Sequence, residues 1–289
     1  MLIDLREILN KYGSVSNNSK VVARNTLYAF LIKGCALAIS FLSTPLFVKY
    51  FNNNEVLGVW YTLLSVLTWF LTFDLGIGNG IRNYLVKAIS ENNRLRMKQI
   101  ISSGLAATLS VTIVLTIVGF IILSTFNINE FLNISTDIID VKSLRKCAYL
   151  VFIALMMRFM LTTVGSIFYS LQRAAVNNFL ALCVSILQFA YILIFRFHNI
   201  ESALLNISLA YLFICNLPIV IAGIYIFFTE LKDCKPTVSQ ITKEAIKKIM
   251  NIGVIFFFCQ IFFLIIVQTN EFFISHFWSP ENTTDYSFY

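Results

Sequence analysis

"FDLGIGNGIRNYL", residues 73–85, closes an apolar run with three glycines set between an aspartate and an arginine. Two chemistries put glycines in such a place: a loop that cradles phosphate, or the end of a helix at a membrane face. The phosphate loop fails on spacing. A G-x-G-x-x-G fingerprint starting at Gly76 needs a third glycine where the chain has Ile81, and it must follow a strand inside a βαβ unit. Here the preceding residues, 56–73, are an uncharged apolar stretch long enough for a membrane helix. The glycines are therefore expected to end a span at a polar face. Arg82 then anchors the following segment in the headgroups, and residues 81–100 form a basic, partly amphipathic connector.

The composition points the same way. Apolar residues make up 58% of the 289 and charged residues 13%, with a mean hydropathy of +0.77. Soluble chains carry about 25% charge. A chain this oily cannot cover itself with polar side chains, so lipid must be its solvent. Seven apolar runs of membrane length are predicted, at 26–48, 56–73, 101–125, 147–171, 177–197, 203–228 and 252–274. Each satisfies its backbone as a helix, as a bilayer demands. The fold class is an all-α integral membrane protein. "LIDLREILNKY", ahead of the first run, reads as a short interfacial helix.

Counting cations sets the orientation. With the N-terminus inside, fifteen of the 22 Lys and Arg fall in inner segments, five in outer segments, and two, Lys33 and Arg158, within spans. Inner segments carry this excess in membrane proteins, so the N-terminus is expected in the cytoplasm. The net charge of +7 is mostly this sorting, with some attraction to anionic lipid, and calls for no nucleic acid. The six cysteines, at 35, 147, 183, 215, 234 and 259, form no C-x-x-C pair and read as small apolar residues. No metal or cofactor is expected.

An ionisable side chain at mid-bilayer costs about 2.5–3.5 kcal/mol on insertion scales and marks a pathway by default. Arg158 lies about eleven residues into its run, either facing a cavity or tied to a backbone carbonyl or neighbouring acid. Lys33 is one to two turns inside the first run, close enough to the edge to snorkel. Asp74 and Glu271 sit at the ends of the second and seventh runs, as solvated edge residues or as coupling and gating carboxylates. Cations lining a low-dielectric cavity favour an anionic cargo, and guanidinium grips phosphate as a fork.

The chain also repeats itself. Phe47–Trp60 aligns without gaps on Phe273–Tyr286, with Phe47/Phe273, Phe51/Phe277 and Glu55/Glu281 identical. Both copies fall at the outer end of a span. Transporters are commonly built from duplicated units, so four segments are expected. They are a cytoplasmic segment 1–25, a six-helix lobe 26–228, an inter-lobe linker 229–251, and the start of a second lobe at 252–289. On this reading the chain is truncated early in its second lobe.

Several stretches carry a resemblance. "DLGIGNGIRNYL", the basic "ENNRLRMKQIISSG", "STPLFVKYFNNNEVLGVWYTLLS", "YSLQRAAVNN" and "QTNEFFISHFWSPENTTDYSFY" together resemble the Wzx-type polysaccharide flippases. These belong to the multidrug/oligosaccharidyl-lipid/polysaccharide exporter superfamily. The resemblance implies a MATE-like fold and a non-enzymatic role: turning an undecaprenyl-diphosphate-linked oligosaccharide repeat unit outward across the bacterial inner membrane, for O-antigen or capsule assembly, by alternating access. It implies membrane lipid, and polymerase and chain-length proteins of the same pathway, as partners. Arg158 and Lys33 become substrate-binding candidates; Asp74, Asn270 and Glu271 become coupling or gating candidates. Relatives often show "TD" near the end of the seventh span, where this chain reads Thr269-Asn270-Glu271. Either Glu271 replaces that acid one position later or the acid is lost; one residue is about 100° of helix rotation, so equivalence does not follow.

Three rivals remain. A membrane polymerase or glycosyltransferase needs a catalytic acid or a large outer loop, but the longest outer loop spans only residues 126–146. A drug exporter of the same superfamily is expected to have an apolar cavity with buried acids. A seven-span receptor would place its N-terminus outside.

Overall fold

The computed structural model describes residues 28, 30–72, 76–125, 127–131 and 138–277, with side chains for all of these but 65–72, 129, 131 and 263–277. The N-terminal segment with its expected interfacial helix, Asp74, and most of the second repeat copy lie outside the described residues.

Nine helices are described. They are α1 (Phe30–Phe51), α2 (Asn54–Thr72), α3 (Ile77–Ser90), α4 (Arg94–Thr125), the short α5 (Ile128–Phe131), α6 (Val141–Ser170), α7 (Ala174–Ile194), α8 (Ile200–Phe228) and α9 (Lys243–Phe277). Among the described residues there is no strand. Six helices among the described residues are long and apolar enough to cross a membrane: α1, α4, α6, α7, α8 and α9 as far as Phe262. The remaining expected span coincides with α2, whose side chains are described only to Leu64. Wide apolar exposure on α1, α4, α7 and α8 (Phe41, Val114, Ile194 and Phe228 among others) suits lipid as the surrounding solvent.

The glycine stretch corrects one expectation. It does not simply end a span: Gly76, in the left-handed region at φ 66°, caps the start of α3. The residues read as a connector are this helix, a tight turn and the first turns of α4. The reason is packing. A Cβ at Gly76 would lie 2.0 Å from the carbonyl oxygen of Gly253, and one at Gly80 2.3 Å from that of Ile249. Two glycines four apart leave a strip of bare backbone, and α9 lies directly on it. Small residues at this spacing let membrane helices approach closely. Ile77, Ile81, Leu85 and Ala88 of α3 are buried around the seam, with Ile249 opposite. Gly58, by contrast, would meet nothing within 4 Å.

Two apolar cores stack along the bundle. The first gathers Phe47, Tyr50 and Phe51 of α1, Trp60 of α2, Leu144, Val151 and Leu155 of α6, and Leu204 and Ile207 of α8. The second gathers Ile81 and Leu85 of α3, Ile101 of α4, Ile167 and Phe168 of α6, Ile226 of α8 and Ile249 of α9. Hydrogen bonds finish the first end. Asp140 and Asn199 cap α6 and α8 through Lys142 N and Glu201 N. Glu201 then accepts from Asp140 N at 2.9 Å and from Ser143 Oγ at 3.1 Å, binding the two helix starts together. An acid at helix N-termini also suits the dipole. Tyr50 donates to the Ala203 carbonyl at 3.0 Å.

The opposite end is made of tight reversals. Asn92 (φ 50°) and Gln172 (φ 59°) adopt the left-handed conformation. In each case the next residue's N–H closes back on the helix, Asn93 to Ala88 O and Arg173 to Phe168 O, as in a Schellman ending. Asparagine tolerates this conformation better than glutamine does. Replacing the exposed Gln172 by glycine is therefore expected to raise unfolding stability by about 0.5–1 kcal/mol, read as a higher melting temperature in detergent. An unchanged or lower value would contradict the strain.

Between α8 and α9 the chain makes two 3-10 turns, Lys232–Cys234 and Val238–Gln240. The stretch ahead of α9, which begins at Lys243, falls within the residues 229–251 read as a linker. It is stitched to α4. Thr237 N donates to Ser102 Oγ and Thr242 N to Ser103 Oγ, both at 3.0 Å, while Leu231 and Cys234 are buried.

Candidate functional site

Polar side chains gather where the two apolar cores meet. On α4 and α6, Thr108 and Thr163 are buried with their hydroxyl oxygens 3.0 Å apart. Thr108 also donates to the Gly104 carbonyl at 3.0 Å, and Thr112 to the Thr108 carbonyl at 2.7 Å. On α8, the buried Asn216 donates to the carbonyls of Ala154 and Leu212, each at 2.9 Å. Its Oδ1 is buried without a hydrogen bond. Such orphaned atoms are uncommon in folded proteins and call for a reason.

Arg158 is the charge in this layer. It is half-buried on α6, and its Nη1 donates to the Cys215 carbonyl of α8 at 3.0 Å. That carbonyl lies in the turn before Pro218, which sits inside α8 and has no N–H to give back to the helix. α6 and α8 pack extensively against each other. A guanidinium has five N–H donors, so one bond to Cys215 leaves a fork able to take a second acceptor. No carboxylate lies within ion-pairing distance of Arg158 among the described residues.

The other expected residues are dispersed. Lys33 is exposed on α1, and no hydrogen bond joins it to Arg158. Arg82 is exposed on α3, with its guanidinium 5.3 Å from the centre of the Tyr169 ring. Tyr169 is eleven residues beyond Arg158 on α6, about 16 Å along the axis, so Arg82 and Arg158 do not form one site. Asp74 lies outside the described residues. Asn270 and Glu271 fall on α9, but their side chains are outside those described.

A second polar region opens at the other end of the bundle. A cavity of about 310 Å³ lies between α3, α4 and α9, lined in part by Tyr84, Arg96, Gln99, Thr242, Glu244 and Lys248. Its cations are already matched: Arg96 pairs with Glu91 at 2.6 Å, and Lys248 with Glu244. Charge there is balanced, unlike at Arg158. No group of three His, Cys, Asp or Glu able to hold a metal occurs among the described residues.

The sequence leaves Arg158 either facing a cavity or tied to a backbone carbonyl or acid; the observed contact is a carbonyl tie, to Cys215, and the turn that supplies it was not foreseen. The signal was "LFICNLPIV", an asparagine and a proline two residues apart within an apolar run. Each perturbs helix hydrogen bonding, and together they mark the turn that Arg158 meets.

Residues 22–289 match the family described as "Polysaccharide biosynthesis protein". The crystal structure of MATE in complex with MaD3S is similar in fold, with a TM-score of 0.68 at 12% identity. The alignment covers 90% of this chain and 58% of the other, so this chain spans less than two thirds of that protein's length. No curated protein matches it in sequence. The architecture is thus an all-α, multi-pass membrane fold of the MATE kind.

Proposed function

The chain belongs to the polysaccharide biosynthesis protein family, and from that membership we propose that it acts as a flippase. Its cargo on this reading is an oligosaccharide repeat unit on undecaprenyl diphosphate, carried from the cytoplasmic to the outer leaflet of a bacterial inner membrane for O-antigen or capsule assembly. The N-terminus is cytoplasmic. Helices α1–α8 form the first lobe and α9 opens a second.

The observation that carries this reading is the unneutralised guanidinium of Arg158 within a polar layer between two apolar cores. A diphosphate entering such a layer meets a fork donor in a weakly screened setting, where charge-assisted hydrogen bonds are strongest. Sugars meet hydroxyls and amides, and the isoprenoid tail stays in lipid. No bond is made or broken. The lobes open inward, load, and rock outward, with the α3–α9 seam parting and re-forming in each cycle. Asp74, Asn270 and Glu271 are the coupling or gating candidates, and polymerase and chain-length proteins the partners downstream.

Cells lacking this chain test the proposal. They are expected to synthesise the lipid-linked oligosaccharide normally and to retain it on the cytoplasmic leaflet, where a membrane-impermeant lectin added outside cannot reach it. Undiminished lectin labelling from outside would overturn the assignment.

A further inference from the structure

A groove of about 230 Å³ runs along the outward side of α4, under the linker. Leu105, Ala106 and Leu109 of α4 and Met160 of α6 form its floor, and Pro236, Val238 and Ile241 of the linker its rim. From Ser102 to Leu109 it follows about 10 Å of helix. Its walls are almost wholly apolar, and it opens onto a row that continues through Ile113 and Ile117, both exposed. A row this apolar suits acyl chains.

The mouth has a different character. Val238 is 85% exposed on its 3-10 turn and Phe228 69% exposed at the end of α8. Lys235 extends over the Phe228 ring with its Nζ 3.9 Å from the ring centre, beside the Pro236 that forms the rim. Apolar side chains bare at a span's end beside a lysine whose ammonium rests over an aromatic ring describe a headgroup-level site. Aromatic and cationic residues collect at that depth.

We propose that this groove holds one acyl chain of an anionic phospholipid, from the leaflet that meets the linker, with its phosphate against Lys235. Bulk lipid is the occupant because the groove faces away from the α3–α9 seam and is continuous with the lipid-facing row of α4. Lys235, next in sequence to the rim residue Pro236, favours an anionic head. The proposal stands independently of the cargo assigned above. Its consequence is that a lipid pins Pro236–Ile241 to α4, adding to the two serine bonds already there.

The test uses the whole chain in vesicles of phosphatidylethanolamine and phosphatidylglycerol, with a trace of phosphatidylglycerol bearing a mid-chain diazirine. After irradiation, adducts on Leu105, Leu109 and Met160 are expected at several times the yield on Ile117, which meets bulk lipid. Ala106→Phe, which fills the groove, removes the excess and leaves Ile117 unchanged; Lys235→Ala lowers it to the level of a phosphatidylethanolamine probe. Should Ala106→Phe not fold, Val238→Asp on the exposed rim reads the same loss. Equal yields at the groove and Ile117, or an excess that survives the groove variants, overturns the proposal. An excess obtained only with a diazirine polyprenyl phosphate also overturns it and gives the groove to the cargo's tail.

Discussion

Gly80→Ala is expected to destabilise the chain in detergent by about 1–3 kcal/mol, and Gly80→Val to prevent its accumulation in the membrane. The added methyl would stand 2.3 Å from the Ile249 carbonyl oxygen and 3.0 Å from its Cγ2. The nearest atom is backbone, so no rotamer change relieves the contact, and α3 and α9 must move apart by about 1 Å. Overpacking in close-fitted interiors costs about 1–3 kcal/mol, and separated helices forfeit the dispersion contacts along the seam. Gly58→Ala is the matched control. It lies in α2 with open space around it, and alanine's helix preference is expected to add up to about 1 kcal/mol of stability. Melting curves of the two variants should therefore shift in opposite directions. Parallel shifts would mean that the seam is not the constraint.

The second large effect concerns Arg158. Arg158→Ala is expected to reduce outward movement of the lipid-linked sugar at least about tenfold, since a charge-assisted hydrogen bond is worth about 1.5–3 kcal/mol. Two further variants separate the charge from the tie. Glutamine can still donate to the Cys215 carbonyl but carries no charge; lysine keeps the charge but not the fork. If phosphate is the ligand, Arg158→Gln loses transport as fully as alanine does, and Arg158→Lys keeps part of it. If the residue only ties α6 to α8, Arg158→Gln retains transport. That last result would refute the substrate role while leaving the fold intact.

The spans were legible because one property, apolar length, dictates them in lipid. Arg158 was legible for a related reason: a charge in such a run is costly enough to stand out. The glycines were read as the end of a span, with no packing partner. Local sequence shows that Gly76 and Gly80 lack side chains but not that α9, some 170 residues later, supplies the backbone that needs the room. Asn216 escaped because an asparagine in an apolar helix is unremarkable until its donors are seen to reach the Ala154 and Leu212 carbonyls. The contact of Arg82 was not legible either, since the guanidinium lies over the ring of Tyr169, far along the chain.

Thr237 and Thr242 sit five residues apart on one strap, and each is buttoned to its own serine on adjacent positions of a single helix. A strap fastened twice cannot pay out slack. With both fastenings in place, the start of α9 at Lys243 is held beside α4 like the edge of a door on its hinge post. Unfastening both buttons with Ser102→Ala and Ser103→Ala would free the post without altering the door.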